Sequence, residues 1–130
     1  MAKQTFHGSC KCGQVKFEAK LDLSEGTTKC NCTSCWKRRW WSVRAQVDDF
    51  TPISGEEVLT GEGFNHFCPK CGVIPYVHVE AQPWNDGAYV SVNVAALDDL
   101  DPQQLMAAPV KLCDGRNDNW WSAPEYSAHL

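Results

Sequence analysis

With 130 residues, the chain predicts one domain with a modest core, small enough to gain from metal staples. Its formal charge of −4 excludes general affinity for nucleic acid or for anionic membranes, and no apolar stretch reaches the ~20 residues that a membrane-spanning helix needs. The start Met1 to Gly8 lacks the apolar run of a secretory signal, so a reducing cytoplasm is the expected location.

The hydrophobic period along the chain is mostly two. Val15, Phe17, Ala19 and Leu21 alternate with Lys16, Glu18 and Lys20, which predicts a half-buried strand. A single helical turn is expected after Thr33, carrying Cys35 to Arg39. Trp41, Val43, Ala45 and Val47 alternate with Ser42, Arg44 and Gln46 and form a second strand. Tyr76 to Glu80 and Tyr89 to Val94 repeat the signal, the latter after the turn-rich run Pro83 to Gly87. Near the C-terminus Asp101 is placed to cap a short helix that Pro102 starts, Gln103 to Ala108 continue and Pro109 ends. No linker divides the chain. The expected architecture is a mainly β single domain over residues 1–130, with one or two short helices, a core of about 5–121 and a tail of 122–130.

Eight cysteines are the strongest chemical signal. Seven stand in three groups: Cys10 and Cys12; Cys30, Cys32 and Cys35; Cys68 and Cys71. Cysteines two or three apart cannot bond to each other without strain, yet one metal ion can collect two thiolates from one turn. In a reducing compartment the pattern reads as metal sites rather than disulfides. Gly13 follows Cys12 and Gly72 follows Cys71 as in zinc knuckles, where glycine permits the turn that points backbone N–H groups at sulfur. Cys10, Cys12, Cys68 and Cys71 therefore make one closed tetrahedral site, a structural staple. Cys30, Cys32 and Cys35 supply three thiolates and leave a fourth position. That position belongs either to a water or a substrate sulfur, or to Cys113 or His66, which would close the site. Lys29, Lys37, Arg38, Arg39 and Arg44 surround this central group and either offset its charge or attract an anionic substrate.

Gly8-Ser9-Cys10-Lys11-Cys12-Gly13-Gln14-Val15, Cys30-Asn31-Cys32-Thr33-Ser34-Cys35, Phe67-Cys68-Pro69-Lys70-Cys71-Gly72 and Val92-Asn93-Val94-Ala95-Ala96-Leu97-Asp98, with Asp114 to Trp120 beyond them, resemble in order and spacing the glutathione-dependent formaldehyde-activating enzyme family. That family shares its domain with centromere protein V. The resemblance implies a zinc-stapled, tent-like β fold with two Zn2+ per chain, one structural on Cys10, Cys12, Cys68 and Cys71 and one catalytic on Cys30, Cys32 and Cys35. It implies carbon–sulfur lyase chemistry in which glutathione and formaldehyde give S-hydroxymethylglutathione. The expected partners are thus a small thiol and an aldehyde.

The chain also departs from the commonest family pattern. Many members carry histidine where Asn31 stands and a small glycine-containing segment where this chain has Trp36-Lys37-Arg38-Arg39-Trp40-Trp41, which marks a divergent branch. Trp36, Lys37, Arg38, Arg39 and Arg116 are the candidate substrate contacts. Trp41 and Trp120 are expected to serve packing, and Arg116 either pairs with an acid such as Asp118 or faces the substrate. The alternative to an enzyme is a non-catalytic, zinc-stabilised binding module with two closed sites.

Overall fold

The computed structural model describes residues 3–130, in which eight strands and two short helices follow one another as β1 (Gln4–Ser9), β2 (Lys16–Leu21), β3 (Thr27–Cys30), α1 (Thr33–Arg38), β4 (Trp41–Gln46), β5 (Phe50–Ser54), β6 (Tyr76–Val79), β7 (Tyr89–Asn93), α2 (Pro102–Ala107) and β8 (Val110–Cys113). They form a three-stranded sheet in the order β1-β2-β5 and a five-stranded sheet in the order β6-β7-β4-β3-β8. Neighbouring strands are antiparallel except for β3 and β8, whose parallel register sets Thr28 beside Lys111 and Cys30 beside Cys113.

The alternation seen in the sequence selects the faces. Phe17, Ala19 and Leu21 of β2 turn inward, and Val43, Ala45, Val90 and Val92 turn inward from the larger sheet. Successive strand residues point to opposite faces. Ser42, Arg44, Tyr89 and Ser91 therefore share the outer face of the five-stranded sheet with Thr28 and Lys111. Phe17 and Phe50 from one sheet meet Tyr76 from the other, with ring centroids 4.5 to 5.5 Å apart. Burial of each such ring contributes roughly 2–3 kcal/mol, so this cluster is the main bond between the sheets. The Tyr76 hydroxyl donates to Glu56 Oε2 at 2.8 Å, which satisfies its polar end.

Strands β2, β4, β6 and β7 lie where the alternation puts them. Strands β3, β5 and β8 carry no such pattern. Pro52 interrupts β5, which the sheet tolerates because β5 is an edge strand and its register with β2 shifts beside Phe17. The Asp101 carboxylate accepts from the Gln103 N–H at 2.9 Å and caps α2 as expected. Among the described residues no helix is long and apolar enough to cross a membrane.

Candidate functional site

The first cysteine group sits where two turns meet. In one, the Cys10 N–H donates to the Val15 carbonyl and the Gly13 N–H to the Cys10 carbonyl. In the other, Cys68 donates to Val73 and Gly72 to Cys68. Both turns need a positive φ, +81° at Gly13 and +80° at Gly72, which glycine adopts without the Cβ penalty. The result brings Cys12 Sγ to 3.5 Å from Cys10 Sγ and 3.7 Å from Cys68 Sγ, and all four sulfurs lie within 4.8 Å of one another. Sulfurs about 2.3 Å from a tetrahedral ion stand about 3.8 Å apart, so the set fits zinc. The Val15 N–H points at Cys10 Sγ from 3.3 Å. At Cys71 burial opposes ionisation, but N–H groups of Val73 and Cys12 outweigh it and bring the thiol down to about 6. Cys10 and Cys68 are buried, Cys71 is half-buried and Cys12 is exposed; the group ties the end of β1 to the approach to β6, and with four sulfurs a tetrahedral ion would have no position left for a ligand.

The second group is built by a strand end and a helix start. Cys30 closes β3, Cys32 is the N-cap of α1 and Cys35 lies three residues on, inside the first turn. The Cys35 N–H donates to Cys32 Sγ at 3.3 Å, so the cysteine spacing is also a helix cap. The Cys32 N–H in turn points at Cys30 Sγ from 3.4 Å. The three sulfurs converge within 4.8 Å. Burial opposes ionisation of Cys32, yet the N–H of Cys35 and the neighbouring thiols hold it below the usual thiol range, whereas burial pushes Cys30 and Cys35 up. A soft trithiolate set of this kind selects zinc among common divalent ions. Cys113 and His66 belong to neither converging group.

Asn31 explains how the second group is held. Its buried amide donates from Nδ2 to Asp114 Oδ1 at 2.9 Å and accepts at Oδ1 from the Arg116 N–H at 3.0 Å. Its own N–H reaches the Cys113 carbonyl at 3.2 Å. The cysteine loop is thereby clamped to the loop that follows β8. Asp114 is further bonded by Asn117, and these amide donors, Asn117 first and Asn31 second, hold its carboxyl below the usual carboxylate range. At Gly115 a Cβ would stand 2.7 Å from Cys30 Sγ and 2.5 Å from Trp120 Cζ3. The sulfur and the indole edge both crowd that glycine, so a larger residue there would have to displace one of them.

A cavity of about 140 Å³ opens beside Cys30 and Cys35, with Lys29, Arg39 and the indoles of Trp36, Trp40 and Trp41 in its wall. Trp41 is half-buried, packs on the core and carries the Lys29 ammonium 4.3 Å over its ring. Arg39 stands at the end of α1 with φ +55°, a left-handed conformation that turns the chain back toward β4. Its guanidinium donates to the His129 carbonyl at 2.6 Å, and Lys29 Nζ donates to the Leu130 carbonyl at 3.0 Å. The tail thus closes one side of this cavity through Leu130, with the His129 ring edge-on to Trp36. Trp40 Nε1 is shielded from solvent and lacks a hydrogen-bond partner among the described residues.

The remaining sequence candidates are dispersed. Arg38 folds back on Ser34 Oγ. Lys37, Trp36 and Arg116 line a shallow depression with Thr33. Arg116 does not pair with Asp118: its guanidinium lies 5.1 Å from the Trp36 ring centroid, and Asp118 accepts instead from Trp120 Nε1 at 2.8 Å. Arg44 points to the outer sheet face, with its Cζ 3.8 Å from the Tyr89 ring centroid. The Asn31 clamp, the Lys29 contact and the role of Gly115 were not foreseen from sequence. A polar residue between two ligand cysteines and the Asp114-Gly115 turn were the only signals available.

A crystal structure of a Rhodobacter sphaeroides protein superposes on this fold with a TM-score of 0.64 at 28% identity, covering 81% of this chain and 99% of that one. The sequence profile of glutathione-dependent formaldehyde-activating enzymes matches residues 5–112, a span that holds both cysteine groups. The chain belongs to the glutathione-dependent formaldehyde-activating enzyme family.

Proposed function

We propose that the protein is a zinc-dependent carbon–sulfur lyase that joins a small thiol, glutathione by family, to an aldehyde. The carrying observation is the asymmetry of the two cysteine groups: four converging sulfurs in one, three beside a cation-lined cavity in the other. In the reaction the thiol sulfur bonds to the carbonyl carbon, the carbonyl π bond opens, and the thiol proton ends on the new hydroxyl. A zinc ion on Cys30, Cys32 and Cys35 supplies a position that stabilises a thiolate at neutral pH or polarises the aldehyde oxygen. Cys10, Cys12, Cys68 and Cys71 would hold a second, structural zinc.

The chain's own side chains orient the reactants. Lys29 and Arg39 already take two successive carbonyl oxygens of the tail, and in the reading proposed here they receive the carboxylates and peptide oxygens of a tripeptide thiol. Lys37 and Arg116 extend the positive rim along Trp36. The unpaired Trp40 N–H is the donor free to meet a ligand oxygen, since an orphaned buried donor costs roughly 1–3 kcal/mol that such a contact returns. The Asn31 clamp keeps Cys30 and Cys32 in register with the loop carrying Arg116.

The test is cobalt substitution. Glutathione should perturb the sulfur-to-metal absorption of the three-cysteine site, Arg39→Gln or Lys29→Gln should weaken the response severalfold, and added salt should weaken it as well. A spectrum that no small thiol alters at millimolar concentration refutes the enzyme reading in favour of a zinc-stabilised binding module.

A further inference from the structure

The outer face of the five-stranded sheet is not bare. Loops that carry Phe64, Trp84, Trp120 and Trp121 rise over it and enclose a cleft of about 730 Å³. Cavities of this size hold drug-sized ligands. Formaldehyde, with one carbon, has no use for such a space.

The floor and walls specify a chemistry. Arg44, Lys111, Ser42 and Ser91 rise from the floor, and neither cation makes a hydrogen bond or an ion pair to a described residue. Arg44 Cζ stands 3.8 Å over the Tyr89 ring centroid, a cation–π contact that leaves its N–H groups free for a carboxylate. Glu80 is the one acid in the lining, so the cleft keeps a positive excess. Trp84 is 76% exposed and Trp121 79% exposed. Indoles left open over free cations suit a flat aromatic ring bearing an anionic group.

The cleft also borders the three-cysteine site. Trp120 lines it, and Gly115 lies between that indole and Cys30 Sγ, close to both. Cys113, in register with Cys30 across the parallel pair, lies in the cleft lining. The smaller cavity, with Leu130 in its wall, approaches the cysteines through Lys29 and Trp41, whose side chains leave the sheet on the opposite face from Thr28 and Ser42. Cys30 thus lines one cavity and neighbours, through Cys113, the other.

We propose that this cleft is a binding site for the carbonyl partner, an aromatic aldehyde carrying a carboxylate, while the thiol enters by the other face. The assignment rests on the adduct chemistry proposed above for its catalytic part and on the cleft alone for its binding part. The bond changes are those of thiol addition to a carbonyl and need no redox partner.

The experiment uses the zinc-loaded full chain and two probes. Calorimetry with unreactive 2-naphthoate should show one site per chain. Arg44→Gln should weaken it about tenfold and Trp84→Ala about fivefold; neither residue is in the core, so folding is not at risk. With glutathione, the ratio of kcat/KM for 6-formyl-2-naphthoate to that for formaldehyde should fall in both variants. Binding of 2-naphthoate that both variants weaken, with no adduct formed from any aldehyde, supports the cleft and removes the proposed reaction. Glutathione and formaldehyde combining while 2-naphthoate fails to bind at millimolar concentration, or binds equally to the variants, overturns the inference and leaves the reaction standing. Self-association that shields Trp84 and ignores 2-naphthoate also overturns it, by giving the cleft to a second copy of the chain.

Discussion

Asn31 is the residue on which the geometry of the three-cysteine site depends, and its removal has a calculable effect. Asn31→Ala deletes the 2.9 Å bond to Asp114 and leaves the Arg116 N–H, which donates at 3.0 Å, without its acceptor. The Arg116 N–H is part-buried, so water can reach it and losing its acceptor costs less than the roughly 1–3 kcal/mol of a fully buried orphan; Asp114 keeps its Asn117 bonds, and the expected loss is about 1–2 kcal/mol in urea unfolding at fixed zinc. Asn31→Asp is the sharper variant because it conserves shape. It sets a carboxylate against Asp114 and should destabilise more at pH 7 than at pH 4, where one of the pair takes up a proton. In the parent protein the sign is opposite. The Asp114 carboxyl is held below its ordinary value, chiefly by Asn117 and then by Asn31. Its contribution is therefore present above the ordinary carboxylate range and lost as pH falls through the lower folded value. An Asn31→Asp protein as stable as the parent at pH 7, or with an unchanged pH profile, would refute the clamp.

The two cysteine groups should separate on metal loss. Cys10→Ser or Cys68→Ser should leave the chain unfolded, since the staple contributes on the scale of the ~5–15 kcal/mol total, whereas Cys32→Ser should cost less than about 2 kcal/mol because serine keeps the α1 cap; metal analysis with thermal unfolding checks both, and equal losses contradict the division. Cys113→Ala should leave zinc affinity at the three-cysteine site within about twofold and cost about 1 kcal/mol of packing, while a large loss of the second zinc with the fold intact would make Cys113 a ligand. Deleting residues 127–130 frees Lys29 and Arg39 from the tail carbonyls, so the cobalt-monitored dissociation constant for glutathione should fall about three- to tenfold. An unchanged or weakened affinity would show that the tail does not compete for that cavity.

Much of this protein was legible in its residues. Period-two alternation located β2 and β4 because one face of each is buried and a polar residue would be costly there; β6 and β7, buried on both faces in part, were located by their runs of β-branched and aromatic residues. Asp101-Pro102 located α2, because capping is a local hydrogen bond between neighbours in sequence. Cysteine spacing announced both groups of converging sulfurs, and two of the turns that assemble the set of four rest on glycines that are themselves local signals. Strands β3, β5 and β8 were silent, since Thr27–Cys30 and Val110–Cys113 gain their places from parallel pairing with each other and not from any pattern of their own.

What the tertiary structure alone decided is which residues face one another across long separations. Asn31 finds Asp114 and Arg116 at 83 and 85 residues' distance, and Lys29 finds Leu130 at 101. The cations grouped beside Cys30 in sequence were sorted by side-chain alternation: Lys29 to the cavity on one face of the sheet and Arg44 to the cleft on the other. Local chemistry can fix a turn, a cap or a ligand pair because the partners are a few residues apart. The assignment of a lysine or an indole to one cavity rather than another depends on strand order and register, and those are settled only when the whole sheet closes.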